Sequence, residues 1–218
     1  MSDKNIEKLN KATKKVMQII SERIITLPYF NDKNLKINKN TLKKILVEGE
    51  FLPNGVVAIY ITKTNTIYIQ KETLENITEE KLVEILLHEF IHYLSANLET
   101  KIVGFDDKTL PITYNEALTQ WLTLKSLYEN MQQALETNII YPESVIKIDN
   151  LINNIGEHTI FNGYFENDIK KSLSQMNKDS KALWLNSIME LFNSKEEKIS
   201  IERLNELENK VNNSKSNK

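Results

Sequence analysis

Two of the three histidines in the chain stand four residues apart, in His88-Glu89-Phe90-Ile91-His92. On an α-helix, positions i and i+4 lie about 40° apart around the axis. His88 and His92 would then point the same way, one turn apart, and could grip one zinc ion through their ring nitrogens. Glu89 would project about 100° round from His88, beside the ion without ligating it, where it could take a proton from water at the metal. A semi-buried pair of ordinary helix histidines is the competing reading of the same five residues.

The flanking residues predict the helix that this chemistry needs. Thr78 is a good N-cap, and Glu79 and Glu80 place negative charge in the first turn, where the helix dipole favours it. Leu82, Val83, Leu86, Leu87, Phe90, Ile91 and Leu94 cover a wide apolar arc, while Lys81, Glu84, His88, His92 and Ser95 share the remaining stripe. The pattern predicts a central, mostly buried helix with one polar stripe that holds both histidines.

Three protein ligands and a water are the norm for a catalytic zinc. The chain contains no cysteine and only one further histidine, His158, so a carboxylate has to be considered. Glu116 is the best candidate. It lies early on a second expected helix, from about Tyr114 to Asn130, on the polar stripe it shares with Thr119, Gln120 and Thr123. An antiparallel return through the loop 97–111 would bring that first turn back to the metal. Thr113-Tyr114-Asn115-Glu116 also fits a capping box, in which Glu116 would bond the Thr113 backbone amide instead. Asp106 and Asp107, in the loop, suit a solvated turn better than a metal site.

His88-Glu89-Phe90-Ile91-His92 followed by Asn115-Glu116-Ala117-Leu118-Thr119 resembles the gluzincin metallopeptidases, the thermolysin-like class. In scale the chain resembles the small, single-domain HExxH proteins of Gram-positive bacteria and their mobile elements. The resemblance covers roughly residues 78–121. It implies a zincin-like fold, zinc held by His88, His92 and Glu116, Glu89 as general base, and hydrolysis of peptide bonds in a protein or peptide. It also implies an oxyanion-stabilising Tyr or His from outside the motif, for which His158 and Tyr164 are the candidates and Tyr114 a third. The sequence departs from the class in a longer gap before the Glu and in Gln120, which stands where the family has an Asp that orients a ligand histidine. Asp106 or Asp107 could replace that Asp, and Gln120 can itself accept an N–H bond, though without a charge.

The remaining chain must position these groups. Residues 4–26 carry helical spacing that Leu27-Pro28 ends. A short strand is expected at 35–37 and a short helix at 41–47. Val56 to Ile61 and Thr66 to Gln70 predict a hairpin, with Ile67 and Ile69 on one face and Tyr68 on the other. Its place just before the motif helix suits either a plain core hairpin or a sheet whose edge binds an extended peptide. Further helices are expected from Pro142 to Ile155, Asp168 to Met176, Ala182 to Phe192 and Ile199 to Val211. The expected architecture is one α+β domain over 1–211, mostly helical, with a small sheet in the first third packed on the motif helix, then a polar, disordered tail over 212–218.

The formal net charge of −2 in 218 residues gives no field that draws nucleic acid or anionic membrane. No apolar segment follows the polar N-terminus and none spans a bilayer, so the expected setting is cytoplasmic, with no membrane partner. A zincin-like regulatory binding protein with little turnover, and a toxin or effector peptidase, are the alternatives to a zinc peptidase.

Overall fold

The structure, a computed structural model, describes residues 2–30, 44–48, 52, 56–105, 110–137 and 141–193. The strand expected at 35–37, Asp106 and Asp107, the helix 199–211 and the tail lie outside the described residues.

The described chain is α+β and mostly helical, as expected. Helix α1 runs over Asp3–Ile19, capped by the Ser2 side chain, and passes into a π-helical turn, Ile20–Ile24. Strands β1 (Lys44–Glu48), β2 (Ala58–Ile61) and β3 (Thr66–Gln70) form a sheet in the order β1-β3-β2. β2 and β3 make the expected hairpin, antiparallel with Ile59 opposite Tyr68. Its turn is closed by Asn65, whose amide donates to the Thr62 carbonyl at 3.2 Å and whose φ of 49° is one that Asn tolerates. Ile67 and Ile69 are fully buried and Tyr68 only partly, which is the expected two-face pattern.

The helix expected at 41–47 is corrected for its described part. Residues 44–48 are strand β1, paired in parallel with β3 so that Ile45 faces Ile67 and Val47 faces Ile69. Apolar residues two apart favour a strand once a partner strand is present. That partner lies some twenty residues on, and local spacing does not reveal it.

After the short helix α2 (Lys71–Asn76) comes α3, Glu79–Leu94, the motif helix. Thr78 caps it as expected, its hydroxyl accepting from the Lys81 amide at 3.2 Å. Every residue from Leu82 to His92 is buried. α3 packs against α1, against β2 and against α4 (Ile112–Leu127). Fully burying side chains such as Leu86, Leu87 and Ile91 stabilises the fold by about 1.5–3 kcal/mol each. The polar stripe is held inside a helix buried on all its sides from Leu82 to His92.

The described part of the connection from α3 to α4, up to Phe105, carries regular structure where a plain loop is expected. Ala96–Asn97 and Ile102–Val103 pair as a two-stranded ribbon, β4 and β5. Gly104 follows with φ +54°; a Cβ there would lie 2.3 Å from Asn115 Oδ1 and against Tyr164. Asn115 Oδ1 accepts from the Phe105 amide at 3.0 Å, so the loop is seated on the first turn of α4, next to Glu116.

The rest of the chain buttresses α4. Helix α5 spans Met131–Leu135. α6 spans Pro142–Ile155 and ends at Gly156 as expected, while α7 (Glu157–Phe161) and a 3₁₀ turn, Tyr164–Glu166, follow. α8 (Ile169–Ser174) is capped by Asp168, and α9 (Lys178–Phe192) packs on α6 and α4. No described helix is long and apolar enough to cross a membrane.

Candidate metal centre

His88 and His92 project from α3 with Nε2 atoms 3.0 Å apart. Glu116, from the first turns of α4, closes the group: its Oε2 is 3.2 Å from His88 Nε2 and its Oε1 is 3.4 Å from His92 Nε2. The histidines are buried, and the Glu116 side chain, 21% exposed, forms the open side. Among the described residues this is the one group of three or more potential ligands that converges, all within 4.8 Å of one another.

The separations are close to those a metal would need. Donors at zinc bond lengths of about 2.0–2.2 Å in a tetrahedron stand about 3.3–3.6 Å apart. Of the separations here, 3.4 Å falls in that range, and 3.0 and 3.2 Å fall a few tenths of an ångström short of it. The donor set, two imidazole nitrogens and a carboxylate, is one that suits zinc.

The capping-box alternative for Glu116 does not form. α4 begins two residues earlier than the sequence suggests, with Pro111 as N-cap, so Thr113 lies inside the helix and is fully buried. Burial raises the Glu116 carboxyl, but the charge of His92 and hydrogen bonds to both histidines outweigh it and hold the group well below the usual carboxylate range. Glu116 therefore stays ionised, the state a ligand needs.

Gln120 answers the departure seen in the sequence. One turn after Glu116 and fully buried, its Oε1 lies 2.8 Å from His88 Nδ1, so its amide oxygen is placed to orient that ring. The charge missing from Gln120 lies one step back: its Nε2 donates at 3.0 Å to Glu84, which also accepts from Lys81 Nζ at 2.9 Å. Sequence reasoning placed Glu84 on the polar stripe without giving it this role. Its position one turn before His88 was the available signal. Among the described residues His92 Nδ1 is buried without a hydrogen-bond partner.

Glu89 lies beside the group and is 7% exposed. Its Oε2 accepts from the Tyr60 amide of β2 at 2.6 Å, a contact with the strand that the sequence could not supply. Desolvation pushes its carboxyl up to about 7, with the Glu116 charge adding to the rise, against the lowering effects of His88 and the Tyr60 bond.

The oxyanion candidates are placed differently. His158 is exposed on α7, edge-on to Tyr29 at 6.3 Å. Its neighbour Glu157 pairs with Lys125, more than two turns along α4 from Glu116, so the structure does not bring His158 to the cluster. Tyr164 is near the cluster but fully buried, with its hydroxyl 2.5 Å from Thr119 Oγ1 and also bonded to Ser95. Thr119 lies one turn after Glu116 and Ser95 one turn after His92, so Tyr164 ties together the helices that carry His92 and Glu116. Tyr114, also fully buried, accepts from Trp184 Nε1 at 2.9 Å within the core.

Compared with known proteins, the chain matches no family model, no curated protein and no solved structure.

Proposed function

We propose that this protein is a zinc-dependent peptidase in which His88, His92 and Glu116 hold the ion and Glu89 is the general base. The observation that carries the reading is the convergence of those three donor groups, at spacings close to those a tetrahedral ion would need, with the Glu89 carboxylate beside them. The likeness of the motifs to the gluzincins supports it, and a zincin-like arrangement of sheet and helices is part of the proposal. Zinc bound there supplies Lewis-acid charge, which acidifies water and polarises a carbonyl.

The protein's own groups supply the rest. Gln120 fixes the His88 ring, so its Nε2 faces His92 and Glu116. Glu116 offsets part of the cation's charge. Glu89 takes a proton onto its carboxylate from the attacking water and delivers it to the leaving amine. Its carboxyl, pushed up to about 7, suits a group that must both accept and give a proton near neutrality. Among the described residues β2 has a neighbour on one side only, β3, and the Tyr60 amide links that strand to Glu89. An extended peptide added along this edge would lie next to the general base, which favours a peptide substrate.

The test is elemental analysis of the purified protein, with cleavage profiling of a proteome-derived peptide library with and without chelator. One zinc per chain and chelator-sensitive cleavage are expected. Absence of stoichiometric metal, together with no uptake on adding zinc, would refute the proposal.

A further inference from the structure

The polar stripe of α3 continues beyond the ligands into a buried chain of hydrogen bonds whose far end, Glu84 and Lys81, has no part in the proposed reaction. Lys81 Nζ and Gln120 Nε2 converge on one oxygen, Glu84 Oε1, at 2.9 and 3.0 Å, and Gln120 Oε1 lies 2.8 Å from His88 Nδ1. Glu84 and His88 are each 5% exposed and Gln120 is fully buried. A buried carboxylate behind an amide is a costly arrangement unless the charge does something.

Hydrogen-bond chemistry says what it does. A primary amide is nearly symmetric in shape, and turning it over exchanges donor for acceptor. A carboxylate only accepts, so the Gln120 end that faces Glu84 must be the NH₂ group. The carbonyl oxygen then faces His88, whose Nδ1 must carry the proton. Nε2 is left facing His92 and the Glu116 carboxylate, where it shares a proton with them in the metal-free chain and would offer its lone pair to an ion.

We propose that Glu84 is a positioning residue: through Gln120 it locks His88 in the Nδ1–H tautomer that a metal ligand requires. It replaces, at one residue's remove, a carboxylate bonded directly to the ring. Lys81 holds the carboxylate from the outer side. The inference rests on the metal-centre reading for its purpose but not for its geometry, because the tautomer is a property of the metal-free chain.

The experiment is a swap cycle over positions 84 and 120, read by the ¹⁵N ring shifts of His88 in the metal-free protein and by zinc affinity. Wild type should show His88 protonated at Nδ1. Glu84→Gln leaves the Gln120 amide free to face either way, so the ring should become a mixture of tautomers and zinc should bind about tenfold more weakly. Gln120→Glu alone sets two carboxylates against each other and should also weaken binding. In the double variant E84Q/Q120E the new amide at 84 donates to the new carboxylate at 120, which accepts from His88. The Nδ1–H tautomer should return, with zinc affinity within about threefold of wild type. A purely structural Glu84 would not show this rescue, and the double variant keeps the test open if a single variant fails to fold. An unchanged tautomer in Glu84→Gln, or a double variant no better than the weaker single one, overturns the proposal. If wild type takes up no zinc while the tautomer follows the cycle, the metal-centre reading fails and the lock stands.

Discussion

Two clusters along α4 each contain a histidine and a glutamate, and they behave oppositely. At the first turns, Glu116 meets His88 and His92, and their nitrogen and oxygen atoms face one another across 3.0–3.4 Å. Towards the far end, Glu157, the neighbour of His158, takes a hydrogen bond from the Tyr29 hydroxyl and pairs with Lys125. There Lys125 lies over the Trp121 ring, and the Trp121 Nε1 donates to Asp149 at 2.8 Å, which also accepts from Asn153. In the second cluster the acceptors meet donors from the protein. In the first, two imidazoles and a carboxylate turn their inner atoms on one another, and a cation would satisfy all three groups. A histidine beside a carboxylate is common chemistry. What marks a candidate site is three potential ligands gathered on one another.

The contrast breaks most sharply at Glu89, the acid that belongs to the first cluster without closing it. Glu89→Gln should retain zinc and fold, while peptide cleavage falls by about 10² to 10⁴-fold, since the amide cannot accept water's proton. Equal cleavage rates for wild type and variant on a confirmed substrate would rule out Glu89 as the base. Next in size is Glu116→Ala. Loss of a direct ligand should weaken zinc binding by more than the roughly 100-fold upper range for an outer partner. Zinc affinity close to wild type would move Glu116 from the ligand set to the structural one.

Glu89 also has a pH signature in the metal-free protein. Its carboxyl binds a proton more tightly in the folded chain, rising from 4.5 to about 7 chiefly through desolvation. Folding is therefore favoured while the group is protonated, and that contribution is lost as pH rises through this window. Between pH 5 and pH 8 wild type should lose about 2 kcal/mol of stability from this group, and Glu89→Gln should escape that loss. Denaturant melts of both proteins in chelator, at the two pH values, give the comparison. Parallel pH dependences would show that the carboxyl is not raised.

The first cluster was largely legible in the sequence because its parts are local. The Thr78 cap, the apolar arc and the His-Glu-x-x-His spacing all lie within one helix, where period and capping chemistry suffice. Glu116 needs a second helix, and its capping-box rival falls only because α4 starts at Ile112, behind the Pro111 cap. The Tyr60 amide on Glu89 and the path from Glu84 through Gln120 to His88 were hidden, because each joins residues that only packing brings together. Strand β1 was misread for the same reason, since its partner is remote in sequence. His158 shows the opposite hazard: a rare residue type in a promising segment, carried by packing to the satisfied cluster.

That satisfied cluster supplies the smallest and most discriminating prediction. Glu157→Gln keeps an acceptor for the Tyr29 hydroxyl but removes the charge that pairs with Lys125. The Lys125 side chain is 40% exposed and that of Glu157 is 23% exposed, so solvent screens much of the pair's attraction. The loss should be about 1 kcal/mol of stability, seen as a small drop in thermal midpoint. Zinc affinity and cleavage rate should not change, because the pair stands more than two turns of α4 from Glu116 and makes no bond to the ligand helix α3 among its described contacts. Two glutamates that each neighbour a histidine would then separate cleanly, one governing metal and the other only packing. A fall in zinc affinity in Glu157→Gln comparable to that in Glu116→Ala would mean that the two ends of α4 are coupled, and the division between open and closed clusters would have to be redrawn.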